Sequence, residues 1–389
     1  MSATAQDAAA ALLRLLEARR AEMVDLLERL VRAESPSDDH AAQRGPREIL
    51  AAALEPAGMR TRRVRAFGTG DHLLAVPRAR RRAAPRQLLL GHMDTVWPVG
   101  TLAEMPFAVR DARAHGPGTA DMKGGLVVIA FALRALHELA LEPEVTPVVL
   151  VNADEEIGSP DARRHHLRLA SGAERAFVLE CGEGPRGALK IARKGLGRFT
   201  VTVHGRSAHA GVAPEEGVSA ILELSHQVQR LFALNDPAHG VTVNVGTIDG
   251  GLRPNVIAPE VVAQVEARVV TAADAARVED HIRGLEPVTE GVSLEVDGDF
   301  RRPPLERTPR NLVLWEQALE AASALGIELG EALVGGASDG NLASTRTATL
   351  DGLGAVGDGA HADHEHVIVD RMPERAALLA LLLAAEVRE

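Results

Sequence analysis

Three short apolar runs, each ending on histidine or carboxylate, constrain the fold of this 389-residue chain more than any other feature. Leu88-Leu89-Leu90 runs into Gly91-His92-Met93-Asp94. Val148-Val149-Leu150-Val151 runs into Asn152-Ala153-Asp154-Glu155-Glu156, and Phe177-Val178-Leu179 into Glu180. Apolar runs of this length, bounded by Gly and polar residues, read as buried strands. The apolar stretch from Leu126 to Leu141 lies between the first two runs and is long enough for a helix. Strand, helix and strand at that spacing form a βαβ unit, which favours a largely parallel sheet covered by helices. Sites in such sheets lie outside the carboxyl ends of the strands, so side chains from distant stretches can meet at one rim.

Around Gly195 the pattern changes. Phe199, Val201 and Val203 alternate with polar residues, as in a half-exposed strand. A helix from about Gly217 to Leu234, strands at Val241–Val245 and Val261–Val270, a helix from about Ala272 to Leu285 and a strand at Val292–Val296 follow. The order β-α-β-β-α-β is the ferredoxin-like split motif. Pro303-Pro304 marks the return to the first domain, which the helix Asn311–Leu325, a strand near Leu333 and a terminal helix from about Met372 complete. The expected organisation is a discontinuous catalytic domain, 1–193 and 304–389, with a lid domain inserted at 194–303.

The formal charge of -11 argues against a nucleic-acid or anionic-membrane partner. Leu12 to Val31 is interrupted by charges and reads as an amphipathic surface helix rather than a secretory leader or a span. The single cysteine, Cys181, excludes an internal disulfide and fits a reducing cytoplasm. The chain has no tyrosine, so no Tyr hydroxyl enters its chemistry.

Catalytic zinc takes imidazole nitrogen and carboxylate oxygen and keeps an open position. A pair of zincs needs about two terminal ligands each and one bridging carboxylate. His92 and Glu180 suit one ion, Glu156 and His361 the other, and Asp121 the bridge. Asp94, two residues beyond His92, is placed to orient that imidazole. Glu155 remains as a free carboxylate beside a ligand, a general base by position. Taken singly, each has a plainer reading. Glu155-Glu156 is a solvated turn, Asp121 a helix N-cap, and His361 one histidine of the His-rich stretch Gly359–His366. Their shared placement at element ends favours the metal reading.

Gly91-His92-Met93-Asp94-Thr95-Val96, Gly116-Pro117-Gly118-Thr119-Ala120-Asp121-Met122-Lys123-Gly124-Gly125 and Asp154-Glu155-Glu156-Ile157-Gly158-Ser159 resemble motifs of a zinc exopeptidase and deacylase family. That family comprises glutamate carboxypeptidase, aminoacylase, acetylornithine deacetylase and succinyl-diaminopimelate desuccinylase. The resemblance spans essentially the whole chain. It implies a mixed, mostly parallel α/β sheet sandwiched by helices, with an inserted ferredoxin-like α+β lid and dimerisation domain. It also implies His92, Asp121, Glu156, Glu180 and His361 as metal ligands, Glu155 as base, Asp94 behind the first histidine, and a cis Asp121-Met122 peptide.

Ser207-Ala208-His209-Ala210-Gly211 resembles the lid motif whose histidine reaches the partner subunit's active site and stabilises an oxyanion. Asn255 and Arg302 resemble lid residues that hold the substrate and its carboxylate, to which an Arg fork can bind bidentately. The turn Gly335-Gly336-Ala337-Ser338-Asp339-Gly340 resembles one that offers backbone amides to that carboxylate, Gly336 among them. His115 and His366 depart from the family, which often has Tyr at both positions. Glu180, in place of the Asp of aminoacylases, and the stretch Asp94–Leu102 lean towards the glutamate carboxypeptidase branch.

The expected activity is release of a C-terminal, acidic amino acid from a small peptide by a cytoplasmic homodimer holding two Zn2+ per subunit, with Co2+ or Mn2+ as substitutes. The alternatives are an N-acyl-amino-acid deacylase of the acetylornithine deacetylase or aminoacylase type, and a non-catalytic metal-stabilised binding protein. An intact Glu155 speaks against the last. A nucleotide-binding protein is disfavoured because no G-x-G-x-x-G joins a strand to a helix.

Overall fold

A computed structural model describes residues 3–79 and 84–388. The chain divides into two compact units: 1–191 with 307–333 and 338–389, and 192–306 with 334–337.

The first unit is built on a six-stranded sheet, in the order Met59–Val64, His72–Pro77, Thr146–Asn152, Arg86–His92, Arg175–Val178, Ala348–Leu350. The last four run parallel and the first two are antiparallel additions at one edge. Both faces are covered, as parallel strands require. Leu88, Leu90, Val148, Leu150 and Val178 join one core cluster, whereas Leu89, Val149, Val151 and Phe177 join the other. That two-residue alternation is why runs of consecutive apolar residues make strands here rather than helices. The buried helices Gly124–Glu138 and Met372–Ala384 pack in the larger cluster. Gly125 lets the first of them approach the sheet closely: a Cβ there would stand 1.9 Å from the Leu179 carbonyl oxygen.

Two details of the first unit differ from expectation. The N-terminal amphipathic stretch is two helices, Ala3–Ala18 and Arg20–Arg32, because Arg19 leaves helical backbone at φ -101° and ψ 9°. Its apolar side is core, with Leu12, Leu16, Met23, Leu27 and Leu30 fully buried. A small antiparallel sheet of Ala108–Arg110, Arg113–His115, His366–Ile368 and Gly357–Asp358 was not foreseen. Its strands are only two or three residues long, too short to show a period.

The second unit has the split β-α-β-β-α-β order, with an antiparallel sheet ordered Thr242–Gly250, Glu260–Val269, Gly195–His204, Ser293–Arg302. Phe199, Val201, Val203, Val261, Ala263 and Val265 form one apolar face against Leu224 and Leu231 of helix Ala220–Phe232 and Val278 and Ile282 of helix Ala272–Arg283. Each helix starts on a side-chain cap: Ser219 accepts from Leu222 N–H and Thr271 from Asp274 N–H. Among the described residues no helix is long and apolar enough to cross a membrane.

Candidate metal centre

The three central parallel strands end side by side, Thr146–Asn152 on one flank of Arg86–His92 and Arg175–Val178 on the other. This is a switch point, where successive strands leave in opposite directions and a crevice opens at their carboxyl ends. His92 is the last residue of its strand, Glu155 and Glu156 follow Asn152 in a turn, and Glu180 lies two residues beyond Val178. The small antiparallel sheet supplies the rest. Asp121 follows strand Arg113–His115, and His361 sits in the loop between Gly357–Asp358 and His366–Ile368. His361 has φ +62°, a left-handed backbone that a non-glycine residue adopts at a cost. Asp121 does not cap the following helix, which begins at Gly124, and its peptide bond to Met122 is cis.

These residues form two metal-capable groups, His92 with Asp121 and Glu180, and Asp121 with Glu156 and His361. Within each group the ligand atoms lie within 4.8 Å of one another. Asp121 belongs to both, and its two oxygens divide: Oδ1 is 3.1 Å from His92 Nε2, and Oδ2 is 3.3 Å from His361 Nε2. Glu180 Oε1 lies 3.6 Å from His92 Nε2, and Glu156 Oε2 3.2 Å from His361 Nε2.

The electrostatics are those of a site that wants cations. Burial pushes the Glu156 carboxyl upward, and Asp121 adds to the rise. Its Oε1 is buried without a hydrogen-bond partner, an orphaned acceptor aimed at no donor of the chain. Burial would disfavour a charged His92, yet hydrogen bonds it donates to Asp121 and Asp94 and the charge of Glu180 hold its pKa well above the usual range. Asp121 and Glu156 raise His361 to about 10. Burial would raise Asp121, but His361 and His92 hold it far below the carboxylate range. Concentrated carboxylates around two imidazoles and one unsatisfied buried oxygen fit a pair of divalent ions.

Asp94 does more than its place beside His92 suggested. His92 Nδ1 lies 3.0 Å from the Asp94 backbone carbonyl and 3.5 Å from its carboxylate. The carboxylate oxygens accept from Glu155 N–H at 3.2 Å, Glu156 N–H at 3.1 Å and Ser37 Oγ at 2.8 Å. Asp94 therefore ties the first imidazole to the turn that carries Glu155 and Glu156.

Glu365 is a residue that sequence reasoning missed. It is fully buried, and it accepts from Gly118, Ala120 and Asp121 N–H at 2.8–3.0 Å and from Trp97 Nε1 at 2.9 Å. Its only signal was its place in a stretch that otherwise reads as surface histidines. The neighbouring His115 and His366 pair across strands with ring centroids 5.2 Å apart. Burial lowers the His115 pKa, and His366 and nearby arginines lower it further.

Four predicted residues lie in the second unit. His209 is exposed on a segment bridged to Val256, and Ala210 N–H donates to the Asn255 carbonyl. Arg302 ends strand Ser293–Arg302 and is buried, and the Gly336 carbonyl accepts from Arg193 Nη1 at 3.1 Å.

An α/β sheet with a switch-point crevice, an inserted α+β unit and two ligand groups sharing one carboxylate define a metal-dependent hydrolase. Residues 88–385 match the sequence profile of peptidase family M20/M25/M40, and the chain belongs to that family. It is therefore a metallopeptidase. It is 30% identical over 376 residues to carboxypeptidase G2 of Pseudomonas sp. (strain RS-16), covering 93% of this chain and 88% of that one. The fold is similar to aminopeptidase PepT of Bacillus cereus, with a TM-score of 0.76 and 23% identity over 94% of this chain and 98% of that one. It is also similar to the Bacillus subtilis YXEP protein, described as a dinuclear metal binding peptidase, with a TM-score of 0.71 and 16% identity over 94% and 98%.

Proposed function

We propose that this chain is a di-zinc carboxypeptidase that hydrolyses the amide bond next to a free carboxylate and releases a C-terminal, acidic amino acid. The observation that carries the reading is Asp121, whose two oxygens face two different imidazoles and so join two ligand groups. His92 and Glu180 would hold one ion, Glu156 and His361 the other, and Asp121 both. Imidazole and carboxylate donors suit zinc, and cobalt or manganese can replace it. When bound, such a pair polarises the scissile carbonyl and lowers the pKa of an attacking water towards about 7.

Glu155 then takes the water proton on its carboxylate and returns a proton to the leaving nitrogen. Asp94 keeps the base in place through the Glu155 N–H. Arg302, Asn255 and Gly336 would bind the substrate and its carboxylate, and His209, contributed across a homodimer, would stabilise the oxyanion. Support for the carboxypeptidase reading comes from the similarity to carboxypeptidase G2 and from Glu180 as the ligand of its strand.

The test is amine release by zinc-loaded protein from N-acyl amino acids and dipeptides, beside a chelated control. Chelator-sensitive release of C-terminal Glu or Asp is the predicted result. Preference for acetylornithine or short acyl-amino acids would transfer the chain to the deacylases.

A further inference from the structure

The turn that carries Glu155 and Glu156 is pinned at its near end by Asp94, and at its far end by a polar cluster with no part in the proposed chemistry. Asn152, Ser159 and His166 are fully buried there and Asp339 nearly so. Ser159 closes the turn. Its N–H donates to the Asp154 carbonyl at 2.7 Å, and Gly158 N–H donates to the Glu155 carbonyl at 2.8 Å. The Ser159 hydroxyl donates to Asp339 Oδ1 at 2.5 Å and accepts from Asn152 Nδ2 at 3.4 Å. Asp339 Oδ2 in turn lies 3.2 Å from His166 Nε2, at ion-pair distance. One hydroxyl thus links the end of strand Thr146–Asn152 to the start of helix Asp339–Ala343, and through Asp339 to helix Arg163–Ala170.

Two familiar uses of such residues do not fit. In a nucleophilic triad the histidine stands between serine and carboxylate, whereas here Asp339 stands between Ser159 and His166. Neither metal-capable group among the described residues includes His166 or Asp339. The backbone supplies a second observation. Ser159 has φ +55°, in the left-handed region where glycine sits without strain and serine does not. The position would suit glycine better unless the hydroxyl is needed.

We propose that Ser159, held by Asp339, is a positioning residue that fixes the turn carrying Glu155, and through it the Glu155 carboxylate, for proton transfer. This rests on Glu155 being the base. A carboxylate misplaced by a fraction of an ångström keeps its pKa and its neighbours but loses alignment with the proton it must take, which lowers kcat rather than substrate affinity.

The experiment compares Ser159→Gly, Asp339→Asn and Glu155→Gln in the full-length, metal-loaded enzyme, reading kcat, KM, bound metal per chain and thermal midpoint. Ser159→Gly is expected to lower kcat about tenfold with KM and metal content unchanged. Its thermal midpoint should fall only modestly, because glycine relieves the left-handed backbone while Asp339 loses a buried donor. Asp339→Asn keeps an oxygen to accept the hydroxyl and should hold kcat within a few-fold of the wild type. Wild-type kcat in Ser159→Gly, beside an inactive Glu155→Gln, overturns the positioning role alone. A Ser159→Gly protein that loses bound metal together with kcat also overturns it, since the residue would then serve the ligand turn rather than the base. Full turnover in Glu155→Gln removes the base and this inference with it.

Discussion

At the scale of single residues, the candidate centre is a problem in crowded charge. Asp121, Glu156 and Glu180 crowd around two imidazoles, and protons on His92 and His361 offset their charge in the metal-free protein. His361, raised to about 10 by Asp121 and Glu156, carries a proton at neutral pH that a metal must displace. Metal affinity should therefore rise with pH up to about 10, and binding at pH 7 should release protons. Calorimetric titration in buffers of different ionisation enthalpy counts them, and zero release would remove His361 from the ligand set. A second residue-scale prediction concerns the substrate. Arg302→Ala should raise KM for carboxylate substrates by about 10- to 100-fold, the loss of a charge-assisted pair, with kcat far less affected. An unchanged KM would remove Arg302 from substrate binding.

At the scale of elements, the strand ends were legible and the links between loops were not. Leu88–Leu90 and Phe177–Leu179 announce themselves because two-sided burial leaves no polar residue in the run. The first charged residue after each run is thereby placed at the rim, which is how His92 and Glu180 could be read without coordinates. Glu365 and the Ser159–Asp339–His166 set carry no such signal. Their contacts join residues separated by 180 or more positions in the case of Ser159 with Asp339 and Glu365 with Gly118, and side-chain hydrogen bonds between loops have no period.

The N-terminal helices show a different limit. Their amphipathic pattern was plain, but nothing in it said that Arg19 would interrupt the helix, its guanidinium reaching Glu22 and Glu138. Glu365 makes the prediction proper to this scale. Glu365→Ala strands the Gly118, Ala120 and Asp121 N–H groups in the interior, a cost on the order of 3 kcal/mol, and frees the loop that carries Asp121. Denaturant unfolding should shift accordingly, with metal content falling in step. A variant as stable and as metal-loaded as the wild type would contradict the role of this loop.

At the scale of the whole molecule, the chain folds into two units with separate cores. The first supplies the ligand groups from the carboxyl ends of a parallel sheet and from the loops of the small antiparallel one, and the second carries Arg302 at a strand end and His209 and Asn255 in loops. Membership of the peptidase family fixes the class of chemistry, and the proposed function narrows it to Glu155 as the base for a centre joined by Asp121. The most direct measurement is therefore metal content and amine release for the wild type and Glu155→Gln side by side. Two metals per chain in both proteins, with turnover lowered about a thousandfold in the variant, is the predicted result. Near-wild-type turnover in Glu155→Gln, or a wild type that hydrolyses peptides with no metal bound, would contradict it.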